Sequence, residues 1–172
     1  LIAGIARTHH ALLYHHPSAV KRKEALPVAI VLGSLPDITY VSAANLPYGI
    51  DEIAVAGGIR RRPVDMVPCK TIPLEVPADA EIVIEGEISI DAMERTEPFS
   101  DYPGYLMAER GLRPVIDVKA ITHRRDAIFT AILVGLPPSE SNGISRTCRE
   151  QKLYNFLKYS CNIPEVLEVC CP

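Results

Sequence analysis

The run AEIVIEGEISI, residues 80–90, sets apolar against polar side chains at every second position, the period of a half-buried strand. Gly86 interrupts the run, so a bulge or bend is expected there. A lone strand cannot bury its apolar face, and the rest of the chain must supply partners. PVAIVLG (27–33) is a β-branched run stopped by glycine and reads as a buried strand. PVIDVKAITHRRDAIFTAILVG (114–135) reads as two strands around a short turn at 124–126, a hairpin. VDMVPCKTIPLEV (64–76) carries prolines that confine it to edges or bends. So many short strands must bury their edges, which predicts an α+β, mainly β domain built as a small barrel.

Helices flank this body. HHALLYHHPSAVKRKEA (9–25) begins helix-like, and Pro17 must break or restart the helix because it removes an interior donor. GIDEIAVAGGIRR (49–61) has acids in its first turn and arginines at its end, the polarity that a helix dipole favours. SRTCREQKLYNFLKYS (145–160) places Cys148, Leu153, Phe156 and Leu157 on one side of a further helix. The expected division is a domain over residues 1–140, then a helical linker over 141–172 that opens a truncated C-terminal region. The first residue is Leu1 and the last residues, NIPEVLEVCCP, form an apolar run, which suggests a segment of a longer protein.

At 172 residues, 48% apolar, 23% charged and net charge −3, the composition suits a soluble globular domain and offers no basic field for nucleic acid. No apolar run reaches the length of a membrane span, and no signal pattern opens the chain, so a cytoplasmic protein is expected. Five cysteines without Cys-x-x-Cys spacing predict free thiols rather than a disulfide framework.

Several residues could carry chemistry. His9, His10, His15 and His16 are four of the five histidines and fall within eight positions, either as satisfied polar groups or as metal ligands. Asn45 and Glu52 offer oxygen to a hard divalent ion that also holds a cofactor phosphate, although an acid at a helix start serves the dipole equally well. Ser42, Ala43 and Ala44 form a small-residue run in residues 36–49, read as a loop between turn prolines that lets another group approach the backbone. MERTEPFSDYPGY (93–105) crowds Glu94, Glu97 and Asp101 around a Pro-Phe pair, on a stretch read as neither helix nor strand. There is no Gly-x-Gly-x-x-Gly motif, Walker loop or nucleophile elbow.

In order, PVAIVLGSLPDITYVSAANLPYGIDEIAVAGGIRRRPVDMVPCKTIPLEVPADAEIVIEGEI, EPFSDYPGY and ITHRRDAIF resemble the UbiD-like decarboxylases. The resemblance covers roughly residues 3–140 and implies a flavin-reductase-like split β-barrel that binds prenylated FMN. It implies that His10 and Glu52 hold Mn²⁺ or Mg²⁺, with His9 and Asn45 beside the cofactor. Carbonyls of Val41, Ser42 and Ala44 would line a K⁺ site. The family's acid loop, Glu-Gly-Pro-Phe-Gly-Glu, is matched by residues 96–101, so Asp101 falls on the second acid and Thr96 on the first, with Glu97 one residue late. The upstream Asn and Arg of the family have no counterpart here, since Arg7 lies too close to His10. The implied function is non-oxidative decarboxylation, or the reverse carboxylation, of an unsaturated or aromatic acid, with the isolated segment inactive. A flavin prenyltransferase would supply the cofactor and the full-length protein would be a homo-oligomer. Asp101 and Glu97 are the implied proton donors, because loss of CO₂ leaves a carbanion that needs an electron sink and then a proton. The alternatives are a flavin- or phosphate-binding barrel without catalysis and a purely structural barrel.

Overall fold

The computed structural model describes residues 11–44, 46–95, 98–100, 106–107, 111–133, 135–136 and 138–171. In chain order the elements are a π-helical turn (Ala11–His15), α1 (His16–Arg22), β1 (Leu26–Leu32), α2 (Pro36–Ala43), α3 (Glu52–Arg60), β2 (Met66–Pro68), β3 (Glu75–Pro77), β4 (Ile82–Arg95), β5 (Phe99–Ser100), β6 (Leu106–Met107), β7 (Leu112–His123), α4 (Glu140–Asn155) and a second π-helical segment (Phe156–Ser160). They fall into two compact units. One comprises Leu1–Ser34, Val64–Pro98 and Ala108–Thr130, the other Leu35–Pro63, Phe99–Met107 and Ala131–Pro172.

The first unit is built on an antiparallel sheet of order β1-β4-β7, with the β2-β3 pair as a separate ladder. β4 contains the alternating run, and its register against β7 shifts between Glu85 and Gly86, where the glycine predicts a bulge. The residue left unmatched there is Lys119 of β7. On β4, Val83 and Glu85 are buried before the shift and Gly86 and Ile88 after it. A Cβ at position 86 would lie 2.6 Å from the Asp117 carbonyl oxygen, so only glycine fits. Gly33 ends β1 at φ +70°, and a Cβ there would fall 2.7 Å from the Glu81 side chain.

Pro17 acts as its chemistry requires. The π-turn stops at His15, and α1 restarts with Pro17 in its first turn, where a missing N–H costs nothing. Ala19 of α1 is fully buried, and His16 Nε2 lies 3.0 Å from the Ser89 carbonyl of β4, which fastens the helix to the sheet. All five cysteines are free, as their spacing predicts. Among the described residues no helix is long and apolar enough to cross a membrane.

Four expectations need correction. The sheets are antiparallel and none closes into a barrel among the described residues, while helices occupy as much of the chain as strands, so the fold is mixed α/β rather than mainly β. The hairpin over 114–135 is half present: β7 ends at His123, and residues 126–133 form no ladder. Side chains satisfy that segment instead, since Glu81 accepts the Ile128 N–H at 3.1 Å and Glu140 accepts the Leu133 N–H at 2.7 Å. The stretch 93–105 is not wholly irregular, because Met93, Glu94 and Arg95 continue β4 opposite Pro114, Arg113 and Leu112, and Phe99–Ser100 pairs with Leu106–Met107. Residues 36–43, read as loop, are the helix α2, for which Pro36 supplies a preset first-turn φ rather than a break.

Candidate functional site

The second unit carries the candidate residues that can be described. α2 and α3 are joined by residues 44–51 and linked by one ion pair. Asp37 sits in the first turn of α2 and Arg60 in the last turn of α3. The Arg60 guanidinium grips the carboxylate with both forks, Nη2 to Oδ1 at 2.8 Å and Nε to Oδ2 at 2.5 Å. The start of α2 therefore meets the end of α3. Arg60 holds the Asp37 carboxyl below the usual carboxylate range, chiefly through this hydrogen-bonded contact.

Val41 and Ser42 lie in the last turn of α2, Ala44 is its C-cap, and Glu52 is the first residue of α3. Val41 is buried, and its carbonyl accepts the Ala44 N–H at 3.0 Å. The Ala44 carbonyl accepts from Leu46 at 2.8 Å, and the Ser42 hydroxyl turns back to donate to Thr39 O at 2.8 Å. Asp51, not Glu52, caps α3, accepting from the Ile53 and Ala54 N–H groups at 2.9 and 3.3 Å. The Glu52 side chain is exposed and accepts no hydrogen bond among the described residues. Carbonyl oxygens retain a second lone pair after one bond, and a helix C-terminus carries partial negative charge. Carboxylate and carbonyl oxygens are donors of the kind a hard cation takes.

α2 is also held from α4. The Cys148 thiol lies 3.7 Å from the Tyr40 carbonyl, and burial first, then the neighbouring thiol, pushes the Tyr40 phenol up from its ordinary value. β5 and β6, which flank residues 101–105, belong to the same compact unit as α2 and α3.

His9, His10, Asn45, Glu97 and Asp101 lie outside the described residues, as does Thr96. Among the described residues no group of three or more His, Cys, Asp or Glu is placed to hold a metal ion. His16 is a satisfied polar group through Ser89, the simpler of its two readings. The Asp37–Arg60 pair was not legible from the sequence. Its only signals were an acid directly after a helix-opening proline and an arginine at a helix end. Glu85 in the first unit was missed as well. It is 1% exposed, and its carboxylate accepts the Lys70 N–H at 2.9 Å, the Thr71 N–H at 2.6 Å and the Thr71 hydroxyl at 2.7 Å.

Residues 2–137 match the domain family described as UbiD, 3-octaprenyl-4-hydroxybenzoate carboxy-lyase Rift-related domain. The chain belongs to the UbiD family. A UbiD-family relative, the phenolic acid decarboxylase of Bacillus subtilis, is 36% identical over 152 residues, covering 87% of this chain and 31% of its own length. The UbiD-class enzyme HmfF from Pelotomaculum thermopropionicum, solved in an evolved dimeric form with prFMN, superposes with a TM-score of 0.85 at 32% identity, over 100% of this chain and 38% of that one. The vanillic acid decarboxylase of Sedimentibacter hydroxybenzoicus in its open form gives 0.84 at 28% identity, over 95% and 34%. The chain spans between 20% and 32% of the length of the curated relatives it matches.

Proposed function

We propose that this chain is the cofactor-binding segment, a domain over residues 1–140 followed by a linker over 141–172, of a longer UbiD-type decarboxylase acting on an unsaturated or aromatic carboxylic acid. The observation that carries the reading is the match of the whole chain to a UbiD-class enzyme holding prFMN, at 32% identity. When bound, the prenylated flavin supplies the electron sink that loss of CO₂ demands. The chain's own residues do the rest. Glu52, with His10, would hold Mn²⁺ or Mg²⁺, His9 and Asn45 would lie beside the cofactor, and the carbonyls of Val41, Ser42 and Ala44 would hold K⁺. Asp101 then delivers the proton to the carbon that has lost CO₂, a step that also runs in reverse, with Glu97 as a second acid. An apolar surrounding raises a carboxyl's affinity for its proton, which suits a general acid.

A flavin prenyltransferase is the proposed source of the cofactor, and the full-length enzyme is proposed to be a cytoplasmic homo-oligomer. Thr96 at the position of the family's first acid favours a second reading, a flavin-binding module without catalysis. One experiment separates them. The full-length protein is co-expressed with a flavin prenyltransferase, its bound flavin is identified by absorption and mass, and CO₂ release is followed from phenolic and cinnamic-type acids. Bound flavin with turnover supports the enzyme, bound flavin without turnover supports the module, and neither one discards both.

A further inference from the structure

The last described residues form a cluster of nucleophilic and charged groups that the proposed reaction does not use. Cys170 and Cys171 are adjacent, and each is tied to α4 by a different contact. Arg146 Nη2 donates to the Cys170 Sγ at 3.1 Å, and Glu150 Oε1 accepts the Cys171 N–H at 2.9 Å. The two α4 residues are themselves joined one turn apart, Arg146 Nε to Glu150 Oε1 at 2.7 Å. Glu150 thus holds the guanidinium by one nitrogen while another meets the sulfur. Cys170 is exposed and Cys171 half-buried, and both thiols are free.

A guanidinium hydrogen-bonded to a sulfur favours negative charge there, and the thiolate is the form of cysteine that attacks. Cys161 provides a contrast. It is exposed as well, yet its sulfur has no hydrogen-bonded cation among the described residues. We propose that Cys170 and Cys171 form a reversible oxidation site, in which Cys170 reacts with a hydroperoxide and Cys171 resolves the product. The Cys170 thiolate attacks the terminal peroxide oxygen and takes it as an OH group while the O–O bond breaks. The departing oxygen takes a proton from solvent and leaves as water or an alcohol, and Cys170 is now a sulfenic acid. The Cys171 sulfur then forms the S–S bond, and the sulfenic OH leaves as water with the Cys171 thiol proton. The two thiols have lost two electrons and the peroxide has gained them. Adjacent Cα atoms stand about 3.8 Å apart, less than disulfides usually span, so the bridge is strained and a small thiol reduces it readily. Its formation takes the Cys170 sulfur off Arg146 and so loosens the end of the chain from α4.

The test uses the full-length protein, reduced and then exposed to hydrogen peroxide, with each cysteine followed by peptide mass spectrometry. In the unaltered protein the peptide holding Cys170 and Cys171 should lose two hydrogens, and glutathione should restore them. Cys171→Ser should leave Cys170 as a sulfenic acid that dimedone traps, whereas Cys170→Ser should yield no adduct at Cys171. In the Cys171→Ser protein, Cys170 should be trapped on the order of tenfold faster than Cys161, about the worth of one hydrogen bond to a charged group. Adding Arg146→Gln should abolish that advantage. Adding Glu150→Gln instead, which weakens the same helix pair but keeps the guanidinium, should retain it and so controls for loss of local structure. If Cys170 and Cys161 are trapped equally fast, or if Arg146→Gln leaves the rate at Cys170 unchanged, Cys170 is an ordinary surface thiol and the proposal falls. It falls equally if the unaltered protein forms no bridge between Cys170 and Cys171.

Discussion

Glu85 holds Thr71 twice, by the main-chain N–H at 2.6 Å and by the side-chain hydroxyl at 2.7 Å, across fourteen positions of sequence. Both oxygens of the buried carboxylate are used, because Lys70 donates its N–H to the other at 2.9 Å. The turn between β2 and β3, which also buries Ile72, is thus fastened to the middle of β4 by an acid.

Glu85→Gln should therefore destabilise the fold. An amide presents one acceptor where the carboxylate presents two, so a donor from Lys70 or Thr71 loses its partner, at a cost of about 2 kcal/mol. Urea denaturation of the variant against the unaltered chain measures it.

The same contact predicts a direction of pH dependence. The Lys70 N–H first, with the Thr71 donors, holds the Glu85 carboxyl below its ordinary value despite burial. A depressed folded value means that the stabilisation is fully present above the unfolded-state value of about 4.3 and is lost as pH falls through the lower folded value. Acid titration of unfolding free energy should show this loss in the unaltered chain and a smaller slope in Glu85→Gln.

Gly86→Ala tests the bulge. The added methyl would sit 2.6 Å from the Asp117 carbonyl, which is main chain and cannot swing aside, so the β4–β7 register must open locally. A loss of about 1–3 kcal/mol is expected, read from a lower melting temperature.

Neighbouring acids at the start of α3 should separate into two roles. Asp51→Ala removes the cap and should cost about 1 kcal/mol of stability. Glu52→Gln should leave stability nearly unchanged and weaken Mn²⁺ binding by the full-length enzyme. Calorimetry and metal titration on both variants distinguish a ligand from a dipole acid.

In the acid loop, Asp101→Asn should lower turnover by the full-length enzyme on the order of 10²- to 10⁴-fold with flavin retained, as loss of a positioned proton donor does. Glu97→Gln should cost less, since it stands one residue from the family's acid position, next to the stiff Pro98. Steady-state rates with flavin content measured in parallel decide the order, and a fully active Asp101→Asn enzyme would remove that residue from the mechanism.

Local chemistry made much of this legible in advance. The restart at Pro17, the bulge at Gly86, and the helices α3 and α4 each follow from residues within a few positions of one another. What stayed hidden depends on distant partners. α2 was obscured because Pro36 and the small residues after it suit a turn as readily as a helix, and the deciding contacts come from Arg60 and Cys148. Residues 126–133 have the composition of a strand, yet the Glu81 and Glu140 carboxylates take main-chain donors that a strand would have used. Within the site, the sequence placed Glu52 at the start of its helix, but nothing in it tied Asp37 to Arg60 across 23 positions.

The bulge between Glu85 and Gly86 also divides the chain into regions of unequal tolerance to length change. Deleting the unmatched Lys119 of β7 would shift β7 by one residue against β4, so that the β7 side chains on one side of the deletion exchange faces of the sheet. Residues 126–133, held by individual side chains and not by a register, carry no such constraint, so insertions and deletions in relatives should collect there and be absent from the stretch opposite Gly86.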